Sequence, residues 1–103
     1  MIRRLRVRPE AQEEILAAAE WYETRRPGLG VDLVAALDEA FEELQESATR
    51  DPTWRAGFPY RRRSLRGFPY LIFYLTGDDI EVVAVAHARR RPGYWVDRSG
   101  PGR

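Results

Sequence analysis

The spacing of apolar residues predicts a strand followed by two helices in the first half of the chain. Toward the end of residues 2–8 apolar and arginine positions alternate, with Leu5 and Val7 on one face, which is the period of a half-buried strand. Pro9 suits the first turn of a helix, and apolar residues then recur at helical spacing. This helix is expected to run to about Arg26, where Pro27 and Gly28 stop it.

A second helix is predicted after a short connection at Leu29 and Gly30. Its apolar stripe comprises Leu33, Val34, Leu37, Ala40, Phe41 and Leu44. Because so few residues join the two helices, we expect them to pack as an antiparallel hairpin.

The second half of the chain changes to the period of strands. Residues 47–59 are expected to form a loop, and strands are predicted over 60–65, 70–75 and 80–87. The middle strand is apolar on both faces and is therefore expected to be central. The order β-α-α-β-β-β predicts an α+β domain in which the helical hairpin covers one face of a sheet that ends in a three-stranded antiparallel meander.

We expect residues 1–96 to form a single domain and residues 97–103 to form a flexible tail. A chain of 103 residues has the length of one domain. The tail contains Pro101 and Gly102 and has no apolar period.

The composition excludes several classes of protein and site. The chain has no cysteine and one histidine, so disulfide scaffolds, Cys-ligated zinc, thiol nucleophiles and two-His metal motifs are excluded. We therefore expect no metal and no cofactor. No apolar run approaches the ~18–20 residues that span a bilayer, so we predict a cytoplasmic protein with no membrane partner.

The small net charge of +1 conceals a strong segregation of charge along the chain. Residues 1–8 contain four arginines and no acidic residue, residues 9–51 contain three arginines and twelve acidic residues, and residues 52–103 contain ten arginines and four acidic residues. Lysine is absent, so all 17 basic residues are arginine, which codon bias would also explain. Segregated charge favours partners that differ from one face to the other.

Two runs in the second half of the chain resemble the RelE/ParE superfamily of bacterial toxins. The first is Arg-Ser-Leu-Arg-Gly-Phe-Pro-Tyr-Leu-Ile-Phe-Tyr at 63–74, and the second is Ile-Glu-Val-Val-Ala-Val-Ala-His-Ala-Arg-Arg-Arg-Pro-Gly-Tyr-Trp at 80–95. Ala-Glu-Trp-Tyr at 19–22 and Arg-Pro-Gly-Leu-Gly at 26–30 agree with the same family. The resemblance implies a toxin of a type II toxin–antitoxin module, which a co-expressed antitoxin holds inactive in the cytoplasm.

The superfamily has two kinds of target, and the resemblance places this chain closer to ParE. RelE-like members cleave mRNA at the ribosome, whereas ParE-like members poison DNA gyrase. The ribonucleases carry an arginine after the aromatic residue that opens the central strand, but here Leu71 follows Tyr70, and the family's lysines are absent. We therefore expect a protein that inhibits gyrase by binding, and a non-toxic antitoxin-binding module is a further alternative.

A ribonuclease would need a base, an acid and cations at the phosphate. Arginine cannot serve as the base, because its pKa lies at about 12.5–13.8. If the chain were RelE-like, the catalytic residues would be His87, Arg89 and Tyr94. The alternative for His87 is a structural role at the end of its strand, where simple alternation places it on the face of Glu81, Val83 and Val85.

Arginines and aromatic residues are the candidates for contacts with partners. The predicted target-binding residues are Arg61, Arg63, Arg66, Arg90, Arg91 and Trp95. For Arg61 and Arg63, a charged edge strand that blocks aggregation explains the pattern equally well. Trp21 and Tyr22 are predicted to contact the antitoxin, with a place at the edge of the core as the alternative. Specific operator DNA is expected to be bound by the antitoxin and not by the toxin alone.

Overall fold

The computed structural model describes residues 3–47 and 50–99, which form two helices packed on a four-stranded sheet. The elements in chain order are β1 (Leu5–Val7), α1 (Pro9–Arg25), α2 (Leu29–Ser47), β2 (Arg61–Ser64), β3 (Tyr70–Thr76), β4 (Ile80–His87) and a 3-10 helix (Val96–Ser99). This order confirms the predicted α+β class with its β-α-α-β-β-β arrangement.

The strands lie in the order β1-β4-β3-β2, so the strand that is apolar on both faces is interior as predicted. β2, β3 and β4 form the antiparallel meander, and β1 pairs in parallel with β4. β1 covers only Leu5–Val7 of the strand predicted over 2–8, of which residue 2 lies outside the described part of the chain. At its C-terminal end β1 is limited by Pro9, which begins α1 two residues after Val7. Only Ile80 to Val82 of β4 therefore have a backbone partner in β1.

The two helices form the predicted hairpin and approach each other closely at Gly30. A Cβ atom at this position would lie 2.5 Å from the backbone oxygen of Ala19, so only glycine fits. Glu23 of α1 accepts hydrogen bonds from the backbone N–H groups of Gly28 and Gly30, at 2.8 and 2.9 Å. These contacts satisfy two N–H donors at the start of α2, where no preceding turn supplies an acceptor.

A β-bulge at Val83 reverses the faces of the sheet on which the side chains after Val83 in β4 lie. Tyr74 pairs with Val82 and Phe73 pairs with Ala84, which leaves Val83 as the extra residue. Val85 consequently packs in the core beneath the helices, whereas Val83 packs on the opposite face. The expectation that Glu81, Val83 and Val85 share one face with His87 is therefore wrong.

Both faces of the sheet carry a hydrophobic core. The core beneath the helices includes Leu33, Leu37, Leu44, Ile72, Tyr74 and Val82. The opposite face is covered by the chain after β4, which places the ring of Trp95 at 4.3 Å from that of Phe73 in a stacked arrangement. Because of this second core, both faces of the sheet are buried although helices cover only one of them.

The first three residues of the predicted flexible tail over 97–103 have a defined structure and contact the rest of the domain. Residues 97–99 belong to the 3-10 helix, and Arg98 donates hydrogen bonds to the carboxylate of Glu14 at 3.0 and 3.2 Å. Residues 100–103 lie outside the described part of the chain. The proposed boundary at residue 96 stays a prediction.

Glu14 of α1 joins the helix, β4 and the C-terminal segment at one point. Among the described residues, no strand pairs with this edge of β4 beyond Val82, and side chains take the place of one. Glu14 accepts a hydrogen bond from the Val85 N–H at 3.0 Å, and Arg98 donates to the Val83 carbonyl at 3.2 Å. The Tyr94 hydroxyl also donates to Glu14. A single carboxylate that is 13% exposed therefore holds the C-terminal segment against the sheet.

Replacing Glu14 is expected to destabilise the fold. In Glu14→Ala the Val85 N–H, the Tyr94 hydroxyl and the Arg98 guanidinium lose their acceptor, which costs about 1–3 kcal/mol for a buried group left unsatisfied. Urea unfolding followed by tryptophan fluorescence measures the change. Glu13→Ala is the matched control, because Glu13 is the exposed neighbour on the same helix. Equal free energies of unfolding for the two variants would contradict the role of Glu14.

Candidate functional site

A basic cleft lies on the face of the sheet opposite the helices. It has a volume of about 240 Å³ and lies between β2, β3 and the segment that follows β4. Its charged and polar lining residues are Arg62, His87, Arg90, Arg91 and Tyr94, and its main apolar ones are Trp54, Leu71, Phe73 and Trp95. No carboxylate lines it. The cleft is therefore suited to an anion.

Several arginines outside the cleft are held by carboxylates. Arg63 donates to Asp51 at 2.9 Å and to Glu43 at 3.0 Å, and its side chain is only 16% exposed. Arg98 pairs with Glu14, and Arg8 pairs with Glu81 at 3.3 Å. A guanidinium that is partly buried and paired with a carboxylate has few donors left for a ligand, so these side chains stabilise the fold.

The three arginines of the cleft have no such partner. Across residues 3–47 and 50–99, no carboxylate forms an ion pair with Arg62, Arg90 or Arg91, and all three residues are exposed. The Arg90 guanidinium lies over the Tyr94 ring at 4.0 Å from its centroid. Unpaired guanidinium groups that converge on one cleft present free hydrogen-bond donors to a ligand.

The predicted target-binding arginines do not form one site. Arg90 and Arg91 line the cleft, whereas Arg63 is fixed by carboxylates and Arg61 donates to the backbone oxygen of Asp51. Arg66 lines a separate polar pocket that also contains Arg63 and Glu43. The alternation of side chains along β2 separates Arg62 from its two neighbours, so the two arginines on the other face are not part of the cleft.

Arg62 and Trp54 line the cleft but were not among the predicted site residues. For Arg62 the signal was present, because strand alternation alone sets it apart from Arg61 and Arg63. For Trp54 no periodic signal exists, since it lies in the loop before β2. The structure places its ring 4.7 Å from that of Trp95, and Gly93 with a φ of 85° allows the C-terminal segment to turn closely past it.

Trp95 is a core residue, which corrects its prediction as a target-binding residue. Its side chain is 0% exposed and packs against Phe73, Tyr60 and Trp54. A ring that is covered on both sides cannot stack on a target in this conformation. Trp95 instead supports the floor of the cleft.

The three candidate catalytic residues of the ribonuclease hypothesis are only partly brought together. His87 and Tyr94 both line the cleft, whereas Arg89 does not. The Nδ1 atom of His87 accepts a hydrogen bond from the Arg89 N–H at 3.1 Å, and its ring packs edge-on against Tyr70. These contacts agree with the structural role that was the alternative for His87.

The Tyr94 hydroxyl is committed to Glu14. Burial raises the pKa of Tyr94 above its usual value, and the hydrogen bond to Glu14 raises it further. The nearby Arg90 and Arg98 act in the opposite direction but do not outweigh these effects. Tyr94 therefore stays protonated at neutral pH and donates its proton to a carboxylate of the fold.

A shallow apolar groove crosses the outer surface of the helical hairpin. It has a volume of about 530 Å³, with Ala19, Val31, Val34 and Ala35 on its floor and Glu20, Glu23 and Asp38 at its rim. Val34 was predicted to belong to the core stripe, but it is 39% exposed. The fully buried stripe of α2 is narrower than predicted: Leu33, Leu37, Ala40 and Leu44 are buried, whereas Phe41 is only partly buried against the core.

The two residues predicted to contact the antitoxin differ in exposure. Trp21 is 50% exposed, with the Arg25 guanidinium 4.3 Å from its ring centroid. Tyr22 is half-buried and packs against Phe68 and Tyr70, with ring centroids 5.2 and 6.2 Å apart. Trp21 is thus available to a partner, whereas Tyr22 contributes to the core beneath the helices.

The described residues contain neither a metal-binding cluster nor a membrane-spanning helix. No three His, Asp or Glu side chains in residues 3–47 and 50–99 are grouped so that they could hold an ion. Within the same ranges, each helix is too short or too polar to cross a bilayer.

Comparison with known proteins identifies the family. Residues 5–92 match the model of the ParE toxin of type II toxin-antitoxin systems, parDE. A solved structure described as the chromosomal ParDE TA system from P. aeruginosa contains a chain with a TM-score of 0.74 and 17% identity, and the match covers 84% of this chain and 96% of that one. No curated protein matches the sequence. The chain belongs to the family of ParE toxins of type II toxin–antitoxin systems.

Proposed function

We propose that this toxin inhibits DNA gyrase by binding and that a cognate antitoxin neutralises it. Both partners act in the cytoplasm. The observation that supports inhibition by binding is the cleft itself, in which three arginines have no carboxylate partner among the described residues. The positive charge of such a surface attracts a negatively charged target and orients it as it binds.

The composition of the cleft favours binding over RNA cleavage. A ribonuclease needs a group that takes a proton from the 2′-hydroxyl, and arginine cannot do so. Tyr94 is already bonded to Glu14, and the Nδ1 atom of His87 already accepts a hydrogen bond from the Arg89 N–H. No carboxylate of the described residues lines the cleft. Leu71 lies in the lining, at the sequence position where the ribonucleases that the chain resembles carry an arginine.

For the antitoxin we propose the groove on the helical hairpin as the principal docking site. The alternative docking site is an edge of the sheet, where a strand of the antitoxin would pair with the toxin. The outer edge of β2 is already occupied, because Thr53 bridges to Arg61 and the Arg62 N–H donates to the Pro52 carbonyl at 3.2 Å. The groove, in contrast, leaves Val31 69% exposed.

The groove fits an amphipathic helix. Its floor is apolar and accepts side chains at helical spacing, as helix-in-groove complexes do. Its rim is acidic, with Glu20, Glu23 and Asp38, so basic residues beside the apolar stripe of the antitoxin would be favoured.

The purified toxin is expected to inhibit supercoiling of relaxed plasmid DNA by gyrase. Premixing it with the cognate antitoxin should restore supercoiling, because the antitoxin covers the toxin. The gel assay for plasmid topology measures both effects.

Full supercoiling at a large molar excess of toxin over gyrase would contradict the proposed target. In that case cleavage of mRNA in translating ribosomes would support the ribonuclease alternative. If growth is also unaffected by verified soluble toxin expressed without antitoxin, the non-toxic antitoxin-binding module is favoured.

Val34→Glu is expected to weaken antitoxin binding by about tenfold or more, since it buries a charge at the centre of the groove. Isothermal titration calorimetry with the cognate antitoxin measures the Kd. Leu16→Glu is the matched control, because Leu16 is a 63% exposed apolar residue of α1 outside the groove. An equal change in Kd for the two variants would show that the antitoxin does not dock in the groove.

A further inference from the structure

The unpaired arginines of the cleft indicate the chemistry of its ligand. Arg62 projects from the edge strand β2, and Arg90 and Arg91 come from the segment after β4, so the three charges approach the cleft from two sides. Arginine binds phosphate through two parallel N–H donors, and here those donors are free. A single carboxylate would pair with only one of these guanidinium groups. Three guanidinium groups at separate positions suit a polymer that carries an anion on each repeating unit.

The aromatic lining distinguishes a nucleic acid from an acidic peptide. Trp54 is half-buried in the cleft wall, with the Arg55 guanidinium 4.5 Å from its ring centroid. The Tyr94 ring has the guanidinium groups of Arg90 and Arg98 at 4.0 and 5.0 Å from its centroid, so both rings offer a ligand mainly their edges. Flat rings beside guanidinium groups contact sugars and bases while the arginines hold the phosphates. An acidic peptide offers carboxylates but no sugar or base to pack beside these rings.

The cleft is smaller than pockets that enclose a drug-sized ligand. A volume of about 240 Å³ lies below the ~300–1,000 Å³ of pockets that enclose a drug-sized ligand. It accommodates one phosphate with its adjoining sugar or base, and the strand continues across the open sides. The cleft is therefore a contact point on a polymer.

The cleft has little means of reading base sequence. Base edges are distinguished mainly by Asn, Gln, Asp, Glu and Arg side chains in fixed positions. None of the first four lines the cleft, and its arginines are exposed. Contacts to phosphate alone position a protein on its ligand without selecting a sequence.

We propose that the cleft formed by Arg62, Arg90, Arg91, Trp54 and Tyr94 binds the phosphodiester backbone of a DNA strand, independently of its sequence. This proposal rests on the proposed function, because gyrase presents DNA to its inhibitor. The toxin then contacts the enzyme–DNA complex through DNA as well as protein. Binding by the toxin alone is weak and specific to no operator.

The first test measures association of the full chain with labelled DNA oligonucleotides by fluorescence anisotropy at low salt. The variant Arg62→Gln, Arg90→Gln, Arg91→Gln should lower the association constant by about tenfold or more. It should also reduce the slope of log K against log salt by about two to three, since about 0.7–0.9 is lost per phosphate contact.

The matched control removes the same charge elsewhere. Arg4, Arg26 and Arg50 are exposed and lie outside the cleft, so replacing all three with Gln tests the effect of net charge alone. The control should retain most of the association constant. Equal losses for the two triple variants would overturn the proposal, and circular dichroism verifies that both variants are folded.

Two further probes test the class of ligand. Poly-glutamate of equal charge should bind more weakly than DNA, and equal binding would overturn the proposal in favour of a general anion surface. An RNA oligonucleotide of the same sequence should bind no more tightly than DNA. RNA binding about tenfold tighter would overturn the DNA assignment and favour the ribonuclease alternative.

Supercoiling assays separate this proposal from the proposed function. If the wild-type toxin inhibits gyrase and the cleft variant inhibits equally, the DNA contact is wrong while gyrase inhibition stands. If the wild-type toxin does not inhibit gyrase but binds DNA through the three arginines, the assignment of the cleft stands and the gyrase target is wrong. Loss of inhibition in the cleft variant alone supports both.

Discussion

The structure depends on how the backbone hydrogen-bonding groups at the unpaired edge of β4 find partners. Pro9 begins α1 soon after Val7 and prevents β1 from continuing, so within residues 3–47 and 50–99 no strand pairs with this edge of β4 beyond Val82. Glu14 and Arg98 supply the missing acceptor and donor, and the same two side chains pair with each other. Because an unpaired sheet edge invites association with other chains, this closure protects the fold and at the same time attaches the C-terminal segment. The position of Tyr94, and with it one wall of the cleft, follows from that attachment.

The ion pairs of the arginines show how the segregated charges of the sequence are arranged in the structure. The acidic helices neutralise part of the basic second half, as Glu43 does for Arg63 and Glu14 does for Arg98. What remains on the sheet face is a smaller set of arginines without partners in the described residues. The acidic rim of the hairpin groove lies on the other side of the molecule. Two surfaces of opposite character can therefore serve an antitoxin and a target that carries negative charge.

The order of the elements was predictable from hydrophobic periodicity and turn residues. The central place of β3 was predictable because its residues are apolar on both faces. The bulge at Val83 was not, since Val82 to Val85 are all apolar and leave no polar residue to mark a change of face. For the same reason Val34 could not be separated from the core stripe of α2. In the cleft, Arg90 and Arg91 were predictable from charge, whereas the burial of Trp95 depends on a tertiary contact with Phe73 that has no local signal.

The central claim is that the guanidinium groups divide into a fixed set that stabilises the fold and an unpaired set that is available to a ligand. Nuclear magnetic resonance of isotope-labelled arginine measures this directly in the free protein, through the exchange of guanidinium N–H protons with water and the rotation of each group. The account predicts slow exchange and hindered rotation for Arg63 and Arg98, and fast exchange and free rotation for Arg62 and Arg91. Slow exchange and hindered rotation at all four positions would contradict it.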